Sequence, residues 1–139
     1  MKSEGRRVLH WAAGAAAAVT LVTGCSSLTG RQDAAAAAAQ QFESAVQQQD
    51  SGALCQALAP GTRQDLEESA KSGCEQAISD SDLPRASGVS RVDVYGQQAR
   101  VVFDQDTLFL SAFPDGWKIT AAGCRPEPRK PYRCELKGS

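Results

Sequence analysis

The spacing of apolar residues changes at about Val89, and this change limits the folds open to the chain. Before that point apolar residues recur at helical spacing, with Phe42 and Val46 four residues apart. After it they alternate with polar residues, as in Val92-Asp93-Val94. Helices followed by strands predict an α+β domain, in which N-terminal helices pack on a four- to five-stranded antiparallel meander.

The first helix is predicted to begin after an Asp33 N-cap and to end at Gln49. Its six consecutive alanines favour helix intrinsically. Glutamine and glutamate are expected on its polar face. The face expected to be buried carries Ala35, Ala38, Phe42, Ala45 and Val46.

Three shorter helices are predicted to follow. One ends before Pro60, because the residue before a proline disfavours helical geometry. The next is expected to open at a capping box formed by Thr62 and Asp65, with Asp in place of the usual Glu. The last covers residues 74–78.

The first two strands are predicted to form a hairpin around a Gly96-Gln97 turn. This turn places apolar residues opposite apolar ones and opposite charges on the outer face. The predicted pairs are Val92 with Val101, Val94 with Ala99, and Asp93 with Arg100.

Two further strands and an edge strand complete the predicted sheet. The third covers residues 107–113, and the turn Pro114-Asp115-Gly116 leads into the fourth, which ends near Cys124. Residues 125–131 contain three prolines and are predicted to be a loop. Residues 132–136 are expected to return as a short edge strand beside the fourth.

The N-terminus has the features of an export signal. Arg6 and Arg7 precede an apolar run, residues 8–22, which is shorter than the roughly 20 residues of a membrane span. Residues 22–25, Val-Thr-Gly-Cys, resemble the bacterial lipobox, and this resemblance implies cleavage before Cys25 and attachment of a diacylglyceryl group to its sulfur. An ordinary secretory peptide with an incidental cysteine is the alternative.

This interpretation divides the chain into three parts. Residues 1–24 are a signal peptide, residues 25–32 are the lipidated cysteine with a flexible tether, and residues 33–139 are a single α+β domain. The predicted location is the outer side of the cell membrane. The general secretory route is favoured, with twin-arginine export as the alternative.

Four cysteines remain after Cys25, and an even number in a small exported domain indicates two disulfides. We expect Cys55 to pair with Cys74 and Cys124 with Cys134, because each pair is close in sequence. A zinc site made by all four is the alternative, but neither pair has the short spacing of structural zinc sites. No metal or other cofactor is predicted.

Charge and histidine content exclude several functions. Twelve basic and 15 acidic residues follow Gly24, so the mature chain carries about −3 and lacks the charge of a nucleic-acid-binding protein. A basic cluster at the C-terminus is either solvated or in contact with anionic headgroups. The single histidine, His10, lies in the signal peptide, so a Ser-His or Cys-His pair cannot form in the mature protein.

Three segments resemble the nuclear transport factor 2-like (SnoaL-like, cystatin-like) fold. They are residues 46–55, residues 58–60 and the strand of residues 115–120, Asp-Gly-Trp-Lys-Ile-Thr. With the lipobox, the alanine-rich composition and the four cysteines, the chain resembles small lipoproteins of high-GC Gram-positive bacteria. The resemblance implies a cone-shaped roll with a cavity between the first helix and the sheet. The residues expected there are Phe42, Val101, Phe103, Leu108, Leu110, Trp117 and Ile119.

This inner face is entirely apolar, and so predicts a packed core rather than an active site. Catalysis like that of ketosteroid isomerase, a member of the same fold family, needs a carboxylate base and an acid inside the cavity. Asp93, Tyr95 and Asp104 are expected to face outward, and Asp106 and Asp115 to lie in turns. A non-hydrolytic lyase or isomerase is the remaining enzymatic alternative.

The sequence therefore predicts a membrane-anchored lipoprotein that acts as a non-catalytic binding or accessory module of the cell envelope. Its expected partners are the membrane, through Cys25, and an envelope protein. The alternative is a carrier or sensor of a small apolar ligand held in the cone cavity.

Overall fold

The computed structural model describes residues 27–138, which form four helices followed by seven short strands. This is the predicted α+β arrangement. The predicted signal peptide and Cys25 lie outside the described residues. The elements are α1 (Leu28–Gln48), α2 (Ser51–Ala57), α3 (Pro60–Ala70), α4 (Cys74–Ser79), β1 (Val89–Tyr95), β2 (Gln98–Phe103), β3 (Thr107–Phe113), β4 (Gly116–Ala122), β5 (Arg125–Glu127), β6 (Lys130–Arg133) and β7 (Leu136–Lys137).

Five strands form one antiparallel sheet in the order β1-β2-β3-β4-β7. The predicted register of the first hairpin is confirmed, with Val92 opposite Val101, Asp93 opposite Arg100 and Val94 opposite Ala99. The guanidinium of Arg100 lies 2.6 Å from the carboxylate of Asp93. The charged residues therefore pair with each other, while Val101 and Ala99 are buried.

The core lies between α1 and the sheet. Because β1, β2, β3 and β4 follow one another as a meander, the β1–β2 and β3–β4 turns lie at one end of the sheet and the β2–β3 connection at the other. The N-terminus of α1 lies at the first end, since the Arg31 guanidinium donates to the carbonyl oxygen of Gly96 in the β1–β2 turn. Its C-terminal part reaches the second end, where Gln47 Nε2 donates to Ala86 O over 2.8 Å.

The start of α1 corrects the predicted tether. The helix begins at Leu28, and its N-cap is Ser27, whose hydroxyl accepts from the Gly30 N–H over 3.1 Å. Asp33 is therefore an exposed residue within the helix, and residues 28–32 are helical rather than flexible. The extra turn forms because its side chains reach the β1–β2 hairpin, a long-range contact that local sequence does not reveal.

The start of α3 corrects the predicted capping box. The helix begins at Pro60, which suits the first position of a helix because that position needs no N–H donor. Thr62 is buried instead of capping, and its hydroxyl donates to Thr120 O in β4 over 3.1 Å. The threonine therefore joins α3 to the sheet.

The C-terminal segment also differs from the prediction. Residues 125–131, predicted to be a loop, contribute to a separate hairpin of β5 and β6. The fifth strand of the main sheet is β7, in which Leu136 pairs with Ala122. The prolines are compatible with this hairpin because a short two-stranded ribbon needs few N–H donors.

Both predicted disulfides are present, Cys55 with Cys74 and Cys124 with Cys134. The first joins α2 to α4, and the second closes the base of the β5–β6 hairpin. A zinc site made by the four cysteines is wrong, because all four sulfurs are in disulfides.

Candidate functional site

The residues predicted to line a cavity mostly form the packed core. Phe42 of α1 faces the sheet residues and, like them, is almost fully buried, so α1 and the sheet are in direct contact there. The buried residues from the predicted lining are Phe42, Val101, Phe103, Leu108, Leu110 and Ile119, with between 0 and 5% of their surface exposed.

Trp117 is the exception, because it is half-buried. Its ring lies at the edge of a surface groove of about 570 Å³ between α1, α2 and β4, which is lined largely by alanines of the two helices. The guanidinium carbon of Arg31 lies 5.7 Å from the centre of the Trp117 ring, at cation–π distance. The tryptophan therefore packs on the core from the outside instead of lining an internal cavity.

A second, smaller cleft lies at the opposite end of α1. It has a volume of about 290 Å³ and is lined by Val46, Leu54, Ile78 and Leu83, with Arg85 at its edge. Its size is at the lower limit of drug-sized ligand sites, which begin at about 300 Å³. No residue of the predicted cavity belongs to it.

Two acidic side chains lie inside the domain, contrary to the prediction of an entirely apolar interior. Glu43 of α1 is 2% exposed and Asp106 of the β2–β3 connection is 5% exposed. Glu43 was expected on the polar face of its helix, and that expectation is wrong. Asp106 was expected in a turn and does lie in the β2–β3 connection, but it is buried there.

Asp106 binds three backbone N–H groups. Its Oδ1 accepts from Thr107 N over 2.7 Å and from Cys124 N over 2.9 Å, and its Oδ2 accepts from Gly123 N over 3.1 Å. The carboxylate thus joins the start of β3 to the segment that follows β4. Hydrogen bonds of this kind favour the ionised form of a carboxyl group.

Glu43 has fewer donors. Its Oε2 accepts from Ala86 N over 3.2 Å, while its Oε1 is buried and receives no donor from the described residues. Burial, followed by the negative charge of Asp106 and a hydrogen bond to it, raises the pKa of Glu43 to about 8. The pKa of Asp106 is also raised, by burial, although its three N–H donors act in the opposite direction.

These contacts place a shared proton on Glu43 at neutral pH. A protonated Glu43 can donate a hydrogen bond from its carboxyl group to Asp106. This bond gives a partner to Glu43 Oε1, which receives no donor from the described residues. The three N–H donors of Asp106 favour its ionised form over that of Glu43, which has one. The pair joins α1, the segment before β1, the β2–β3 connection and the Cys124 disulfide.

The arrangement suits a structural role better than proton transfer to a substrate. A general acid or base must come within hydrogen-bonding distance of the reacting group. Both carboxyl groups are almost fully buried, and neither lines the groove beside Trp117 or the cleft beside Arg85. Within residues 27–138, no cluster of three or more His, Cys, Asp or Glu side chains is placed to hold a metal ion.

A pattern in the sequence could have revealed that Glu43 is buried. The buried positions of α1 include Ala35, Ala39, Phe42 and Val46, and Glu43 fits the same helical face. The run Ala34–Ala39 hides this face, because alanine on every side gives no amphipathic contrast. No comparable signal distinguishes Asp106 from its exposed neighbour Asp104.

Comparison with known protein families, characterised proteins and solved structures gives no significant match.

Proposed function

We propose that this chain is an exported lipoprotein, anchored through Cys25 to the outer side of the cell membrane, whose α+β domain is a non-catalytic binding or accessory module of the cell envelope. We also propose that the domain belongs to the nuclear transport factor 2-like class. An envelope protein is the proposed partner.

The packed interior is the observation that supports this function most strongly. Leu108 and Leu110 of β3 have at most 1% of their surface exposed and lie in one cluster with Phe42. A ligand carrier would need the space that these side chains fill. The packing therefore favours a domain that acts through its surface over the alternative of an apolar-ligand carrier.

The disulfides support the proposed location. Disulfides are common in exported proteins and rare in the cytosol, where thiols are kept reduced. Here all four cysteines within residues 27–138 are paired. None of the helices in that part of the chain is long and apolar enough to cross a bilayer.

Fractionation of a Cys25→Ser variant tests the anchor. We expect the native protein in the membrane fraction, with a diacylglyceryl group on Cys25 by mass spectrometry, and the variant released in soluble form. A matched Ser26→Ala variant should remain in the membrane. An unmodified Cys25 with unchanged membrane retention would contradict the proposed lipoprotein.

Crosslinking in intact cells, followed by mass spectrometry, tests the binding role. We expect the anchored protein to crosslink reproducibly to one envelope protein, and the released Cys25→Ser variant to lose that crosslink. An apolar molecule that co-purifies with the native domain and raises its melting temperature would instead favour the carrier alternative.

A further inference from the structure

We infer that the end of the domain carrying Leu28 and Tyr95 rests on the lipid bilayer to which the protein is anchored, so that the domain is held in one orientation. This inference rests on the proposed anchor at Cys25. We call this end of the domain the anchor-side end: the first turn of α1, the β1–β2 turn at residues 95–98 and the β3–β4 turn at residues 113–116.

The length of chain available is the first argument. Cys25 and Ser27 are two residues apart, and a chain extends at most about 3.6 Å per residue. The N-cap of α1 therefore lies within about 7 Å of the lipidated residue. A helix that begins so close to its anchor cannot hold the domain far from the membrane.

The second argument is the position of exposed apolar side chains. Leu28 and Tyr95 are 61% and 67% exposed, and within residues 27–138 they are the large hydrophobic residues with such exposure. Single exposed apolar residues need no explanation, but these two belong to the same end of the domain. Tyrosine is also favoured at the interface between lipid and water, where its ring is apolar and its hydroxyl solvated.

Arg31 holds the parts of this end together. Its guanidinium donates to the carbonyl oxygen of Gly96 in the β1–β2 turn and lies over the Trp117 ring at the start of β4. It is one helical turn from Leu28, so the exposed leucine is fixed relative to both turns. Arg31 therefore connects the first turn of α1 to the β1–β2 turn and to the start of β4.

The charged residues of the anchor-side end do not explain its contact with the bilayer. Asp115 is paired with Lys118 at 3.3 Å, and Asp33 offsets Arg31 in formal charge. The basic β5–β6 hairpin has its base at the opposite end, because Cys124 binds Asp106 in the β2–β3 connection. We therefore expect contact through apolar insertion, without a requirement for anionic lipid.

The experiment uses the mature lipidated protein in phosphatidylcholine vesicles with brominated acyl chains, which quench tryptophan on contact. Trp117 is the native tryptophan of the mature chain, because Trp11 precedes Cys25. Two variants each add a second tryptophan at an exposed position, Tyr95→Trp at the anchor-side end and Gln48→Trp at the other end of α1. The 21 residues of α1 separate these ends by about 30 Å.

We expect quenching of the added tryptophan to be several-fold greater in Tyr95→Trp than in Gln48→Trp, and to persist at high salt. Replacing Leu28 and Tyr95 together by Ser should reduce quenching of Trp117 while the melting temperature is unchanged.

Equal quenching at both ends, or none, would overturn the inference even with Cys25 found lipidated. An unlipidated Cys25 would instead contradict the proposed function, and mass spectrometry of the same sample separates the two failures. Quenching that requires anionic lipid would overturn the apolar contact in favour of the basic hairpin.

Discussion

Glu43 and Asp106 meet inside the core, where an unequal number of backbone donors decides which of the two carries a proton. Asp106 accepts three N–H groups and Glu43 accepts one. Burial alone would raise the pKa of both side chains. The difference in donors favours the charge on Asp106 and the proton on Glu43.

Stability should therefore fall as the pH rises. The pKa of Glu43 is raised from 4.5 to about 8, so between these values the folded state holds a proton that the unfolded state has lost. The stabilisation is fully present below the unfolded pKa and is lost as the pH rises through the folded pKa, at about 1.4 kcal/mol per pH unit. Urea unfolding of the lipid-free domain between about pH 5 and pH 8 measures this slope.

Glu43→Gln is the matched variant, because its amide can donate to Asp106 and accept from Ala86 without ionising. We expect a nearly flat stability between about pH 6 and pH 8 and a variant more stable than the native protein at the alkaline end. The single histidine of the sequence, His10, lies outside residues 27–138, so the described domain contains no histidine. The same slope in native and variant proteins would show that Glu43 does not hold the proton.

Removal of the Asp106 carboxylate should be strongly destabilising. Asp106→Ala leaves the buried N–H groups of Thr107 and Cys124 without an acceptor, and we expect a loss of about 3 to 5 kcal/mol. Asp104→Ala is the control, since Asp104 is exposed and, within residues 27–138, accepts one hydrogen bond, from Ser87 N. Equal losses of unfolding free energy in the two variants would contradict the role given to Asp106.

The two disulfides should differ modestly in their effect on stability. The Cys55–Cys74 bridge spans 19 residues and the Cys124–Cys134 bridge 10. When each pair is replaced by alanine, loop entropy predicts that the free energy of unfolding falls by about 3 kcal/mol for the first bridge and by about 2.5 kcal/mol for the second. Thermal melts of both double variants check the order, and a larger loss at Cys124–Cys134 would indicate that contacts around Asp106 outweigh chain entropy.

Core truncation should separate a packed interior from a ligand cavity. Leu110 is 1% exposed, so Leu110→Ala should cost about 2 to 5 kcal/mol. Trp117→Ala should lower the free energy of unfolding by less than truncation of a fully buried tryptophan would, because the Trp117 ring lies at the groove and stacks with Arg31. Differential scanning calorimetry of both variants measures the losses. A Leu110→Ala protein as stable as the native one would favour an open interior.

The register of the β1–β2 hairpin was predictable because the alternation of apolar and polar residues and the position of the turn indicate the same pairing. Val92 and Val101 are in register only with a turn at Gly96-Gln97, and the same turn pairs Asp93 with Arg100. A shift of one residue would have exposed both valines. The disulfide pairing was predictable for a similar reason, since each pair joins neighbouring elements.

The features that were not predictable depend on long-range contacts. Ser27 caps α1 because the added turn reaches the β1–β2 hairpin, whereas Thr29 and Gly30 are poor helix formers when considered locally. Thr62 bonds across to β4 instead of capping its own helix. The burial of Asp106 depends on donors 17 and 18 residues away, which no local pattern reveals.

The Cys124–Cys134 bridge also makes the β5–β6 hairpin a separable module. Its two strands pair with each other and with no strand of the main sheet, while the disulfide fixes the distance between its ends. Tyr132 connects it to the main sheet: its ring stacks edge-on against Phe109, with ring centres 5.1 Å apart, and its hydroxyl accepts from Arg100 Nη1 over 3.3 Å. The turn at Pro128-Arg129 is consequently a suitable place to insert an epitope or a fluorophore, because added residues there leave the register of β3 and β4 unchanged.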